Sequence, residues 1–195
     1  MSFDFVIFDK NMHDRSGFDC GVPDLNRYLF EQASQDVRSN YVKLVVATEE
    51  NANKVLGFYT LSHDGLPLQD IPRETQRKLP RYERVPAVLL GRLAVDKTMQ
   101  GQGLGAELMA NAILRSLDYP SAWAVMVVDA KDDKGSSFYK KFAFSSLADN
   151  PRHLYVAKKE LERFAKQTLG YDVLKQEEPQ SNTDFLLKNQ RERNR

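Results

Sequence analysis

Apolar positions along this chain recur with two periods, and the switches between them mark the elements. Phe3, Phe5 and Ile7 set against Asp4, Val6 and Phe8 alternate enough to predict a first strand over Phe3–Phe8. A loop over 9–22 follows. Asp24 has the chemistry of a helix N-cap, and Leu25, Tyr28, Leu29, Ala33 and Val37 then predict an amphipathic helix to about Arg38. Tyr41–Thr48 and Lys54–Ser62 read as two strands joined by a hairpin turn over Glu49–Asn53. The stretch Asp64–Val85 loses periodicity: Leu66, Leu68 and Ile71 are its apolar points, Pro67, Pro72 and Pro80 punctuate it, and one short helix is expected over Arg73–Leu79. Val88–Val95 is a strand, and Leu104, Leu108 and Ala112, flanked by Met109, Ile113 and Leu117, are the buried stripes of a helix.

Trp123–Ala130 is almost continuously apolar and so predicts a strand buried on both faces. A helix carrying Ser136–Phe142 follows, then strands over Ser145–Leu147 and Leu154–Lys158, then a helix over Glu160–Thr168 with Leu161, Phe164 and Ala165 on one face. Strands and helices mixed in this way predict an α/β (α+β) domain over residues 1–168. Residues 169–195 read as a polar, partly disordered tail in which Phe185-Leu186-Leu187 is a possible docking segment.

Chemistry concentrates between the Val88–Val95 strand and the helix after it. Gln100-Gly101-Gln102-Gly103-Leu104-Gly105-Ala106 places three glycines in five residues and opens directly into the helix. Such a turn lets main chain approach a ligand closely and aims free N–H groups from the positive end of a helix, which makes a phosphate cradle. A P-loop needs Lys-Ser/Thr after its last glycine, but Ala106 and Glu107 stand there. Gly101, Gly103 and Ala106 also fit G-x-G-x-x-A, with Asp129 near the place of a ribose-binding acid. However, residues 96–100 separate the strand from Gly101, and little chain follows for further βαβ units.

With Gly91-Arg92-Leu93-Ala94-Val95-Asp96 before it, the loop resembles the pyrophosphate loop of the GNAT acetyltransferases, R/Q-x-x-G-x-G/A. Ser136-Ser137-Phe138-Tyr139 with Phe142-Ala143-Phe144 resembles that family's F-Y-x-x-x-G-F signature, with Ala143 where glycine is usual. The resemblance runs over 18–158. It implies a mixed, mostly antiparallel sheet splayed between its fourth and fifth strands and flanked by helices. It also implies acetyl-CoA as co-substrate, with no metal. The coenzyme is then held by Leu93, Ala94 and Val95 along the strand, by Gln100, Gly101, Gln102, Gly103, Leu104, Gly105 and Ala106 in the loop, and by Ser136 and Phe138. Tyr139 takes the role of general acid: a phenol near pKa ~10 stays protonated at neutral pH and lies within one or two units of a thiol near ~8.5. No general base stands out, and an α-amino group near pKa ~7.7 is already partly neutral.

Phe18-Asp19-Cys20-Gly21, Leu25-Asn26-Arg27-Tyr28-Leu29 and Val55–Leu61 resemble the GNAT-type toxins of bacterial toxin–antitoxin pairs. That resemblance implies an aminoacyl-tRNA α-amine as acceptor, a ribbon-helix-helix antitoxin and a homodimer. Arg73, Arg77 and Lys78 in the irregular stretch are substrate-side candidates for RNA phosphates. So is Arg92, which plain alternation puts on the face of Val88, Leu90 and Ala94, with a structural ion pair as the alternative. Cys20 reads as a small buried side chain and His63 as a solvated strand end.

Composition changes this picture little. A net charge of +1 gives no general attraction to nucleic acid and favours the alternative of a housekeeping enzyme acting on a small amine or protein N-terminus. A non-catalytic acyl-CoA-responsive binding module is the alternative of another class, against which Tyr139 argues. One cysteine and no signal-like or membrane-length apolar run point to a cytoplasmic protein with no membrane partner.

Overall fold

The computed structural model describes residues 2–147 and 150–171. Its strands are β1 (Phe3–Ile7), β2 (Lys43–Glu49), β3 (Gly57–Pro67), β4 (Arg84–Val95), β5 (Val125–Asp129), β6 (Ser145–Ser146) and β7 (His153–Ala157). Its helices are α1 (Pro23–Arg27), α2 (Ala33–Arg38), α3 (Arg73–Gln76), α4 (Leu104–Leu117), α5 (Asp133–Lys140) and α6 (Lys158–Thr168). The strands form one sheet in the order β1-β2-β3-β4-β5-β7-β6. The pair β4–β5 is parallel and the other neighbours are antiparallel. A parallel pair needs a crossover, and α4 supplies it. The predicted tail beyond Tyr171 lies outside the described residues.

The sheet opens where expected. Pairing of β4 with β5 covers Ala87↔Val125 to Leu89↔Val127 and then stops, while β4 continues to Val95 with β3 alone beside it. The backbone edge of β4 beyond Leu89 therefore faces a gap rather than a strand.

A β-bulge falls at the same place. Leu61 pairs with Leu90 but Thr60 pairs with Arg92, which leaves Gly91 as the extra residue. One extra residue reverses the alternation. Val88 and Leu90 join the core under α4, whereas Ala94 joins the opposite core with Phe58 and Tyr28. Arg92 thus shares a face with Ala94 but not with Val88 and Leu90, as plain alternation had it. The core under α4 is continuous from β2 to β7. On the other face the apolar side chains divide into two clusters, one beneath α1 and α2 and one around Leu66, Val85 and Val127. Gly91 and Arg92 sit between them.

Other boundaries move for local reasons. Pro23 starts α1 in the position where its missing N–H costs nothing, so Val22 is the N-cap and Asp24 lies in the first turn, paired with Arg27. The predicted single helix to Arg38 is interrupted by a π turn over Tyr28–Gln32, in which Ala33 N–H reaches Tyr28 C=O. The strands β3 and β4 pair as far as Pro67 and Arg84, so the irregular stretch is shorter than predicted, and its helix ends at Gln76.

Candidate active site

The glycine loop is built on Asp96. This residue is 4% exposed and caps the 3₁₀ turn Lys97–Met99. Its carboxylate accepts from Thr98 N–H at 2.9 Å, Thr98 Oγ1 at 2.6 Å and Asp19 N–H at 2.9 Å. Burial opposes its charge, yet these donors hold the carboxyl below its ordinary pKa.

Beyond the turn, Gly101 (φ +78°) and Gly103 (φ +93°) take left-handed conformations, and a Cβ on either would meet nothing within 4 Å. The glycines are thus required by backbone conformation, and open space lies above them. Gly103 is the N-cap of α4 and offers no side chain to the helix. Among the described residues, the N–H groups of Gly101, Gly103, Leu104 and Gly105 meet no acceptor. Leu104 is fully buried and fixes the first turn to the core. The result is a row of free donors at a positive helix end beside the open edge of β4, a fit for a pyrophosphate followed by an extended arm. Leu93 and Val95 pack their side chains on the α4 core, which leaves their main chain at that edge.

The glutamine side chains of the loop do not share this task. Gln100 Nε2 donates to Val95 C=O at 2.9 Å and to Cys20 C=O at 3.0 Å, and Gln102 Nε2 donates to Thr98 C=O at 2.7 Å. Both are turned back onto the chain, so only their main chain is available to a ligand. Ser136 is similar: it is buried, and its hydroxyl donates to Pro151 C=O at 3.3 Å.

Asp132 caps α5 by accepting from Gly135 N–H at 2.7 Å. Phe138 is half-buried, and a Cβ on Gly105 would lie 3.9 Å from its ring. Tyr139 is 8% exposed and lies edge-on to Phe138 (5.3 Å) and tilted against Phe144 (6.0 Å). Burial pushes its hydroxyl up to about 12. It is therefore protonated at any physiological pH, and a weaker acid than the free phenol assumed from sequence. Ala143 has φ +66°, so the turn after α5 holds alanine in a conformation that favours glycine, as its departure from the signature implied.

Arg92 is half-buried, with its guanidinium carbon 3.6 Å from the centroid of the Tyr28 ring. Among the described residues no carboxylate lies within salt-bridge distance, so stacking replaces the ion pair considered from sequence. Tyr28 opens the π turn, and burial pushes its hydroxyl up to about 12. Neither the bulge nor the π turn carries a sequence signal beyond Gly91 itself.

Arg73, Arg77 and Lys78 are exposed on and just after α3. Lys78 lines a groove of about 500 Å³ with Trp123, Lys158, Lys159 and Arg163, so the fold brings cations from two distant segments together there, alongside Glu160 and Glu162. Cys20 is buried, with Sγ 3.0 Å from Asn26 Oδ1, and burial raises its thiol. His63 lies exposed within β3 opposite Val88, rather than at a strand end, with its ring 5.7 Å from that of Tyr119. Among the described residues no three His, Cys, Asp or Glu side chains converge on a metal-sized point, and no helix is long and apolar enough to cross a membrane.

Residues 40–146 match the family model of the acetyltransferase (GNAT) domain. A tRNA-acetylating toxin of Mycobacterium tuberculosis is 32% identical over 149 residues, 75% of this chain and 87% of the relative. The structure of AtaT complexed with acetyl-methionyl-tRNAfMet is similar at a TM-score of 0.75 and 30% identity, over 83% of this chain and 98% of that one. A tyrosine-to-phenylalanine mutant of AtaT bound to the C-terminus of the antitoxin AtaR and acetyl-CoA is similar at 0.69 and 27%, over 83% and 96%.

Proposed function

The chain belongs to the GNAT acetyltransferases, and from that premise we propose that it moves the acetyl group of acetyl-CoA onto the α-amine of an aminoacyl-tRNA, as the translation-blocking toxin of a toxin–antitoxin pair. One observation carries the donor half: the free N–H groups of Gly101, Gly103, Leu104 and Gly105 open onto the unpaired edge of β4, with Tyr139 on the neighbouring helix. The acceptor half rests on relatives that acetylate tRNA or are bound to it, 32% and 30% identical to this chain over the aligned residues.

The loop main chain would hold the pyrophosphate, and the edge of β4 from Leu93 to Val95 the pantetheine arm. The coenzyme supplies an activated thioester and a thiolate leaving group. An aminoacyl ester amine is partly neutral at pH 7 and attacks without a dedicated base. Tyr139 Oη gives its proton to the departing sulfur. The same burial that raises the phenol also raises the proton affinity of a thiolate released beside it, which narrows the gap between them. Arg92, held over Tyr28 between the two apolar clusters of the outer face, would meet the acceptor end of the tRNA. Lys78, Arg73 and Arg77, with Lys158, Lys159 and Arg163, supply phosphate contacts at a distance from the chemistry.

The partners proposed are a ribbon-helix-helix antitoxin and a second copy of the chain. A net charge of +1 favours a second reading, a housekeeping enzyme for a small amine or a protein N-terminus. Transfer of label from acetyl-CoA to a pool of charged tRNAs separates the two, with uncharged tRNA and free amino acids as controls. Label on charged tRNA alone supports the toxin reading and names the amino acid. Label on small amines alone overturns it and leaves a general acetyltransferase.

A further inference from the structure

The segment Phe18–Gly21 lies far from the glycine loop in sequence but is fastened to its base. Asp19 N–H reaches the buried Asp96 carboxylate at 2.9 Å, and Lys97 N–H returns to Asp19 C=O at 2.8 Å. Lys97 Nζ pairs with Asp19 Oδ2 at 2.7 Å, and Asp19 Oδ1 accepts from Gly21 N–H at 2.8 Å and Asn26 Nδ2 at 2.7 Å. These donors hold the Asp19 carboxyl at about 2, led by Lys97. Asn26, on α1, turns its Oδ1 to Cys20 N–H at 2.9 Å. Gln100 closes the circuit, its single amide nitrogen bridging Cys20 C=O and the last carbonyl of β4. At the loop tip a Cβ on Gly101 or Gly103 would meet nothing within 4 Å, and Gln102 is tied to the turn below it, by its N–H to Met99 C=O at 3.4 Å and by Nε2 to Thr98 C=O at 2.7 Å.

We propose that Gln100, Asp19 and Asn26 are positioning residues that hold the glycine loop in register with β4 for the coenzyme and tie it to α1. The helix that begins at Pro23 runs on into the π turn that carries Tyr28 beneath Arg92. The same brace therefore connects the donor side of the cleft to the acceptor side. None of the three side chains need touch the coenzyme; they act through the main chain of the loop. The inference rests on the acetyl-CoA reading above.

The test is titration calorimetry with coenzyme A, paired with steady-state acetyl transfer, on wild type, Gln100→Met and Asn26→Ala. Gln100→Met keeps the length of an exposed side chain and removes only its donors. Its expected effect is about tenfold weaker coenzyme A binding and the same rise in KM for acetyl-CoA, with kcat at saturation within about twofold. Asn26→Ala, which lies farther from the loop, is expected to weaken binding about threefold. Unchanged coenzyme A affinity in a folded Gln100→Met protein overturns the proposal, even if thermal stability falls. A wild-type protein that binds no coenzyme A overturns the functional reading itself, and this inference with it.

Discussion

Replacing Tyr139 by phenylalanine removes one oxygen and leaves the ring that packs on Phe138 and Phe144. The hydroxyl is so poorly solvated that its pKa stands at about 12, and deleting it should cost the fold less than ~1 kcal/mol. The catalytic cost follows from the same number. Against a thiol near ~8.5 the phenol is about 3.5 units too weak, so complete proton transfer is uphill by ~5 kcal/mol before desolvation of the thiolate is counted. The proton is then shared rather than fully given in the transition state. The loss should fall at the lower end of the range for general acids, ~10²-fold in kcat or ~2.7 kcal/mol. KM for acetyl-CoA should be unchanged, because in the proposed reading the loop and β4, not Tyr139, hold the coenzyme. The assay is labelled acetyl transfer under saturating substrate, with a hydrolysis-resistant aminoacyl amide as acceptor so that alkaline pH can be used. Activity should rise as the acceptor amine deprotonates near ~7.7 and then stay flat to about pH 10–11, since Tyr139 remains protonated there. A Tyr139→Phe enzyme within threefold of wild-type kcat, or a wild-type profile that falls near pH 9, would refute the assignment.

Gly103→Ala should cost ~1 kcal/mol of stability from its left-handed φ and weaken acetyl-CoA binding. Gly105→Ala, whose Cβ would make only ordinary contacts at 3.7 and 3.9 Å, should add ~0.5 kcal/mol and leave binding intact; calorimetry and thermal melts check both. Ala143→Gly relieves a φ of +66° and should raise stability by ~0.5–1 kcal/mol, a Tm gain of about 1–4 °C. Burial holds Tyr28 and Tyr139 at about 12, against ~10 for tyrosine in an unfolded chain. Their protonated forms are thus favoured by folding: the contribution of each is constant below pH 10 and lost between about pH 10 and 12, by roughly 2–3 kcal/mol. Urea denaturation at pH 9 and pH 11.5 should show that fall, and a smaller fall in Tyr139→Phe.

Much of the arrangement was legible because it rests on local rules. Leu104, Leu108, Ala112 and Ile113 share one face of a 3.6-residue repeat, and all four are fully buried. Val125–Val128 read as buried on both faces, and they are. Three close-set glycines before that helix announced the loop, and Gly101 and Gly103 do take the conformations that favour glycine. Ala143 stands where the signature has glycine, and its φ of +66° is the conformation that makes glycine usual there. The expectations that failed did so for different local reasons. Alternation alone put Arg92 beside Leu90, because it took no account of the bulge that Gly91 marks. Asp24 was favoured as a cap because the preference for acids there was weighed without Pro23. Gln100 and Ser136 turn their side chains onto protein carbonyls, a direction that a motif does not give.

Periodicity and spacing by themselves therefore determined the order of the elements and the glycine turn at the start of α4, since each depends on residues within a few turns of one another; Tyr139 was singled out only through the resemblance to a family signature. Tertiary structure alone decided that β4 and β5 part after Leu89 and Val127, that the bulge and the π turn bring Arg92 onto Tyr28, and that Asp19 and Gln100 lock an early segment to the loop. Those contacts join residues about 60–80 positions apart in sequence. No periodicity spans that distance, and only the closure of the sheet around its two cores sets which backbone groups are left to be bridged.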